Sequence, residues 1–305
     1  MLEVLSSQLT QKRRPLVGLS LGLVLLFIAP AAASAAPSSA AVASDGILDL
    51  VANGGDTAPH TINVSFSGGY AISDSAGVTG GSGCAQTSST SVFCTGGGGA
   101  IAVGTGAGAD RITIASVSPA AATDPNLTTA TGILSGGGND TIVGSPAADL
   151  IIAGDGNDTI DGGLGPDLID GKQGTDTLTY ASRPASEPVL VRFESHPDDP
   201  SAQFLPSGSN GGAEGDHPDV ENVIGTPGDD TMIGYREEPV TVYPSGSANT
   251  FTGGGGNDTL LGVSGPDRLI GGPGKDRLIG GPGSDRCIGG SGKDRAKQCE
   301  RKKSI

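Results

Sequence analysis

Gly271-Gly272-Pro273-Gly274-Lys275-Asp276-Arg277-Leu278-Ile279 is followed without a gap by Gly280-Gly281-Pro282-Gly283-Ser284-Asp285-Arg286-Cys287-Ile288. The two nonapeptides differ only at their fifth and eighth positions. Outward from them the nine-residue phase persists. Asn249, Asp258, Asp267, Asp276, Asp285 and Asp294 share the sixth position, and an earlier block places Asp140, Asp149, Asp158, Asp167 and Asp176 there. Asp230 marks one isolated unit between the blocks. Such a period is the sequence signature of a stacked repeat. The first six positions read as a glycine-rich turn, because repeated positive φ is cheap only for glycine. The last three read as a short strand with side chains alternating in and out. The eighth position is apolar in the first block (Ile142, Ile151, Ile160, Ile169, Leu178) and runs Phe251, Leu260, Leu269, Leu278, Cys287, Ala296 in the second.

These features predict an all-β chain, wound as a right-handed parallel β-roll with two nonapeptides per turn and the eighth-position residues stacked inside. Residues eighteen apart then lie over one another: Asp140 over Asp158, Asp149 over Asp167, Asp158 over Asp176, Asp258 over Asp276, Asp267 over Asp285, and Asp276 over Asp294. Carboxylates held about 5 Å apart repel unless a cation sits between them. Oxygen donors, with turn carbonyls beside them, select Ca²⁺ over softer metals.

The repeats resemble the hemolysin-type (RTX) calcium-binding nonapeptide G-G-x-G-x-D-x-U-x, over roughly Ser135–Thr179 and Gly225–Lys297. The resemblance implies calcium held between stacked loops by Asp140, Asp158, Asp167, Asp176, Asp258, Asp267, Asp276, Asp285 and Asp294. Asp149 stands outside this set, because Ser145-Pro146-Ala147-Ala148 has lost its glycines, and Asn249 brings no charge. The layout, including Asp219-Val220-Glu221-Asn222-Val223-Ile224-Gly225, looks like that of secreted calcium-binding proteins of actinobacteria. Classical relatives use an uncleaved C-terminal export signal, whereas this chain has an N-terminal one and a basic end, Arg301-Lys302-Lys303.

Composition agrees with a turn-rich solenoid. The 305 residues include 53 Gly and 20 Pro, no Trp, six Phe and four Tyr, with 35% hydrophobic residues and a net charge of −15. That is too few large side chains for a helical bundle or an α/β enzyme core. At the start, Lys12-Arg13-Arg14, an apolar run from Leu16 to Ile28, and Ala33-Ser34-Ala35 match a secretory signal peptide cleaved after Ala35. The run is too short for a comfortable membrane span. The four cysteines form two local pairs, and proximity favours Cys84–Cys94 and Cys287–Cys299 in an oxidising compartment.

The expected organisation is a signal peptide (1–35), a linker (36–44), and a β-rich region (45–131) with a Cys84–Cys94 hairpin. A first roll block (132–180), an excursion (181–224), a second block (225–297), and a basic tail capped through Cys299 (298–305) complete it. Within the β-rich region, alternation marks Thr61–Phe66, Ala71–Ser73, Ser91–Cys94 and Arg111–Ile114 as strands. Gly106-Ala107-Gly108-Ala109-Asp110 is a degenerate unit, so the region reads equally as the solenoid's start. Val189–Phe193 reads as a strand in the excursion.

No H-E-x-x-H motif occurs, and no G-x-S-x-G nucleophile elbow lies outside the apolar run Leu16–Ile28. Gly290-Ser291-Gly292-Lys293-Asp294 only mimics a phosphate loop. His196 near Asp198 and Asp199 reads as a solvated loop. Arg268, Arg277, Arg286 and Arg295 hold the seventh position of four successive units. The expectation is a secreted, non-catalytic protein whose repeats fold on binding Ca²⁺. It has no nucleic-acid partner and no membrane span after signal cleavage, and its basic end is suited to an acidic polysaccharide or a cell surface. The alternatives are a Ca²⁺-dependent enzyme on polysaccharide of epimerase or lyase type, tested at His196 and Tyr180, and a cell-surface adhesin or matrix protein.

Overall fold

The computed structural model describes residues 37–42, 47–52, 57–95, 100–117, 131–165, 167–192, 217–220, 222–234 and 248–305. The signal-peptide segment, His196 and most of the excursion lie outside them. Among the described residues every regular element is a strand, in sheets of 13, 8 and 5 strands.

From Thr131 onward, consecutive strands alternate between two sheets: Thr131–Gly137, Thr141–Val143, Asp149–Asp155, Thr159–Asp161, Leu168–Gln173 and Thr177–Thr179. The first four pair in parallel with the strand eighteen residues on, so Ile142 faces Ile160 and Ile160 faces Leu178, while Ile133 faces Ile151 and Ile151 faces Ile169. The second block repeats this with Thr250–Thr252, Arg268–Gly274 and Arg286–Gly292 on one side. Thr231–Ile233, Thr259–Leu261, Arg277–Ile279 and Arg295–Lys297 lie on the other. One turn therefore consumes two nonapeptides, and the chain forms the expected parallel β-roll. Ile142, Ile160, Leu178, Val223, Phe251, Leu269 and Cys287 make one fully buried row along the long sheet. A strand three residues long can bury only its central side chain, which is why one apolar residue in nine suffices.

The glycines of the motif answer to two constraints. Gly274, at the fourth position, has φ 152°, and a Cβ there would overlap the carbonyl oxygen of Gly256 one turn earlier. Gly271, at the first position, would instead drive its Cβ into Oδ2 of Asp276, the sixth residue of its own unit. The first glycine exists to make room for the carboxylate.

The N-terminal region is the roll's beginning. Leu48–Val51 and Ile101–Gly104 continue one sheet in parallel with Thr131–Gly137, while Thr61–Phe66 and Arg111–Ile114 continue the other. The antiparallel strands Tyr70–Asp74, Ser91–Cys94 and Cys84–Ser88 finish that sheet, and the Cys84–Cys94 disulfide pins the last hairpin. The expected linker is corrected in part. Ser38–Val42 is a strand between Leu48–Val51 and Val78–Gly80, its small side chains admitting Gly81 against Ala40 and Ala41.

The excursion is also stitched into the roll at both ends. Leu190–Arg192 lies parallel to Thr231–Ile233, His217–Asp219 to Leu168–Gln173, and Asn222–Ile224 to Thr177–Thr179. Tyr180 is buried, with the Arg183 guanidinium 4.9 Å over its ring. At the far end Cys287 is disulfide-bonded to Cys299, and Arg301–Lys303 adds a last strand to Arg286–Gly292, so the expected tail is part of the sheet.

Candidate metal centre

The sixth-position aspartates are placed by the turn-to-strand junction, so stacking the strands stacks the carboxylates. They do not face one another as the spacing alone suggests. One oxygen of each accepts the backbone N–H of the sixth residue one turn earlier. Asp158 Oδ1 accepts from Asp140 N at 2.7 Å, Asp176 from Asp158 at 2.9 Å, and Asp167 from Asp149 at 2.9 Å. In the second block Asp258 accepts from Asp230 at 2.8 Å, Asp276 from Asp258 at 2.9 Å and Asp294 from Asp276 at 3.0 Å. On the opposite side Asp267 accepts from Asn249 and Asp285 from Asp267, each at 2.9 Å.

These rows run beyond the predicted ligands, through the degenerate unit that ends in Asp110. Asp140 accepts from Asp110 N, and Asp110 from His60 N, each at 2.8 Å, which carries the first row back into the N-terminal region. Their spacings of 30 and 50 residues hide them from an eighteen-residue search. Glu300 accepts from Asp285 N and closes one row at the C-terminal end. Only its distance from the disulfide marks it in the sequence.

The second oxygen is the exposed chemistry of the site, although it is not exposed to water. Oδ2 of Asp110, Asp140, Asp158, Asp258, Asp267, Asp276, Asp285 and Asp294 is buried and has no hydrogen-bond partner. Leaving a buried carboxylate oxygen unpaired costs several kcal/mol in the ionised form. Burial accordingly pushes the carboxyls of Asp258 and Asp267 up to about 7, against the lowering effect of the backbone N–H bonds. Repulsion from Asp230 and Asp276 in the first case, and from Asp285 in the second, adds to the rise. Asp158 rises to about 6 for the same reasons, with Asp140 and Asp176 as its like-charged neighbours. Asp110, Asp140, Asp276 and Asp285 are also raised, burial first among the causes.

Two carboxylates are bonded instead by a hydroxyl at the second position of their own unit, although burial still raises Asp230. Ser145 N and Oγ donate to Asp149 at 2.5 and 2.8 Å. Thr226 N donates to Asp230 at 2.7 Å, its Oγ1 lies 3.0 Å from the same carboxylate, and that Oγ1 accepts from Gly228 N at 2.9 Å. The copy that lost its glycines has thereby replaced an external partner with an internal one. Thr226→Val should lower the denaturation midpoint in saturating calcium by about 1–3 kcal/mol. It should leave the number of bound calcium ions, counted by titration, unchanged.

Elsewhere the chemistry is structural. Ser38 Oγ and His60 Nδ1 both meet Asp74 Oδ2, the latter at 2.8 Å, and all three residues are buried. These bonds to Asp74 tie the first strand to the strand Tyr70–Asp74. Among the described residues no three His, Cys, Asp or Glu side chains converge as a metal cluster, and no helix is long and apolar enough to cross a membrane. A cation must therefore combine individual carboxylates with turn carbonyls. Hard, oxygen-only donation with orphaned buried anionic atoms fits Ca²⁺.

Together the solenoid and its carboxylate rows define a β-roll of calcium-binding type. The family model of the RTX calcium-binding nonapeptide repeat matches in four copies, over residues 134–169, 144–178, 245–265 and 261–296, so these segments of the roll are similar to RTX repeats. No curated protein matches it.

Proposed function

We propose that this is a secreted, non-catalytic calcium-binding protein whose roll orders when Ca²⁺ reaches the aspartate rows. The row of buried Oδ2 atoms without hydrogen-bond partners carries the reading. The ligands are Asp140, Asp158, Asp167, Asp176, Asp258, Asp267, Asp276, Asp285 and Asp294, with Asp110 added by the continuation of the first row. Asp110, Asp140, Asp158, Asp258, Asp267, Asp276, Asp285 and Asp294 each supply the carboxylate oxygen that the stacking bond leaves over, beside carbonyls of the glycine turns. Bound calcium supplies the countercharge that these buried anions lack.

Extracellular calcium modules bind at about 10⁻⁴–10⁻³ M. At about 5 mM calcium each filled site then adds about 1–2 kcal/mol to the folded state. Several sites together reach the scale of a whole domain's stability. The two disulfides fit an oxidising compartment, and the N-terminal segment supports export. Circular dichroism of the chain lacking residues 1–35, with chelator and with about 5 mM calcium, tests the reading. A large gain of β signal with calcium is expected, and an unchanged spectrum would overturn it.

A further inference from the structure

The seventh position of the repeat changes character along the roll. In the first block it carries Thr141, Thr159 and Thr177, aligned on successive strands of the long sheet. Further along the same sheet the aligned residues become Arg268, Arg286 and Arg301, and on the opposite sheet Arg277 faces Arg295. All five arginines are exposed, and among the described residues none has an ion-pair partner. Like charges directly opposite on neighbouring strands destabilise a sheet, so the threonines of the first block are the cheaper choice. The arginines are not required by the fold.

The acids of the same region are elsewhere. From Val263 to Ile305 there are ten basic and five acidic residues. All ten bases are exposed. Four of the acids are the buried Asp267, Asp276, Asp285 and Asp294, and the fifth, Glu300, is bonded to Asp285 N. Before calcium binds, the buried carboxylates offset part of the outer charge. Once they are neutralised, the surface is basic without compensation. Arg286, Arg301, Lys302 and Lys303 also line a shallow hollow of about 250 Å³ at the end of the ladder.

We infer that this end of the roll is a calcium-gated docking surface for a linear acidic polysaccharide of polyuronate type. Strand spacing sets one arginine about every 4.8 Å along the ladder. A polyuronate offers one carboxylate per sugar along an extended chain, a comparable repeat, and guanidinium pairs well with carboxylate. The gating rests on the calcium reading given above; the ladder itself does not.

The experiment is fluorescence anisotropy of a labelled short oligogalacturonate, too short to gel, with the full mature chain in about 5 mM calcium. Neutral dextran, single-stranded DNA and anionic phospholipid vesicles serve as comparison ligands. Circular dichroism of the same samples reads the roll separately, so a failure of calcium-driven folding is told apart from a failure of docking. The expected result is saturable binding to the oligouronate, lost with chelator and screened by about 1 M salt. Arg268→Thr/Arg286→Thr/Arg301→Thr, which restores the residue of the first block, should weaken it about tenfold with the β signal intact. Equal binding by that folded variant overturns the inference. So does binding of DNA or vesicles as tight as that of the oligouronate, or no binding by a wild-type roll that has folded.

Discussion

Acidification should order the metal-free chain and disarm its response to calcium. Asp258 and Asp267 titrate near 7 in the roll and Asp158 near 6, all from an ordinary value of 3.8. The folded state therefore binds more protons than the unfolded one between about pH 4 and 7, and its stability falls as pH rises across that window. Below about pH 4 both states are protonated and this penalty is absent; above about pH 7 it is complete. Chelator-treated protein brought from pH 7.5 to about 4.5 should gain β signal in circular dichroism, while calcium added at the lower pH should change little because protons already hold the sites. The same competition should weaken calcium binding progressively as pH drops below about 7. If metal-free protein instead loses structure on acidification, the buried carboxylates are not what keeps the roll open.

The second large effect belongs to the fourth-position glycine. Gly274→Ala would place a Cβ against the Gly256 carbonyl oxygen at a φ of 152°. Neither partner is a side chain that can turn away, so the two turns must separate. A loss of about 3 kcal/mol or more is expected, from backbone strain together with overpacking. Pro273→Ala, at the exposed third position next door, should cost less than about 0.5 kcal/mol. Denaturant midpoints of the two variants in saturating calcium give the comparison. Similar midpoints would mean that the stacked turns do not pack as closely as described.

Much of this was legible because a strict period converts sequence distance into spatial distance. Once Asp258 and Asp276 share a phase, their stacking follows, and so does the buried row from Ile142 to Cys287. The alternation around Thr61–Phe66 and Arg111–Ile114 was equally readable, since one face of each strand is buried. What escaped the period escaped the reading. Asp110 was visible in a degenerate unit, but its place in the first row and its bond from His60 N were not, because irregular insertions separate them from the period. Ser38–Val42 resembles a linker because its side chains are small, and small side chains are what its close-packed position demands. The orientation of the carboxylates was missed for a different reason. Stacking distance alone cannot say that Oδ1 is taken by an N–H, and that fact turns a pair of facing charges into a row of half-satisfied ones. It also explains the first glycine of the motif, which positive φ does not.

The bonds between stacked aspartates all point the same way. Each carboxylate holds the backbone of the turn before it, never the turn after, so the roll has a head and a tail. Removing a turn from the N-terminal end leaves a carboxylate oxygen without its donor, whereas removing one from the C-terminal end leaves a bare N–H behind. The two ends therefore need different terminators, a donor such as His60 N at the first and an acceptor at the last. Glu300, the Cys287–Cys299 bridge and the strand Arg301–Lys303 are all gathered there.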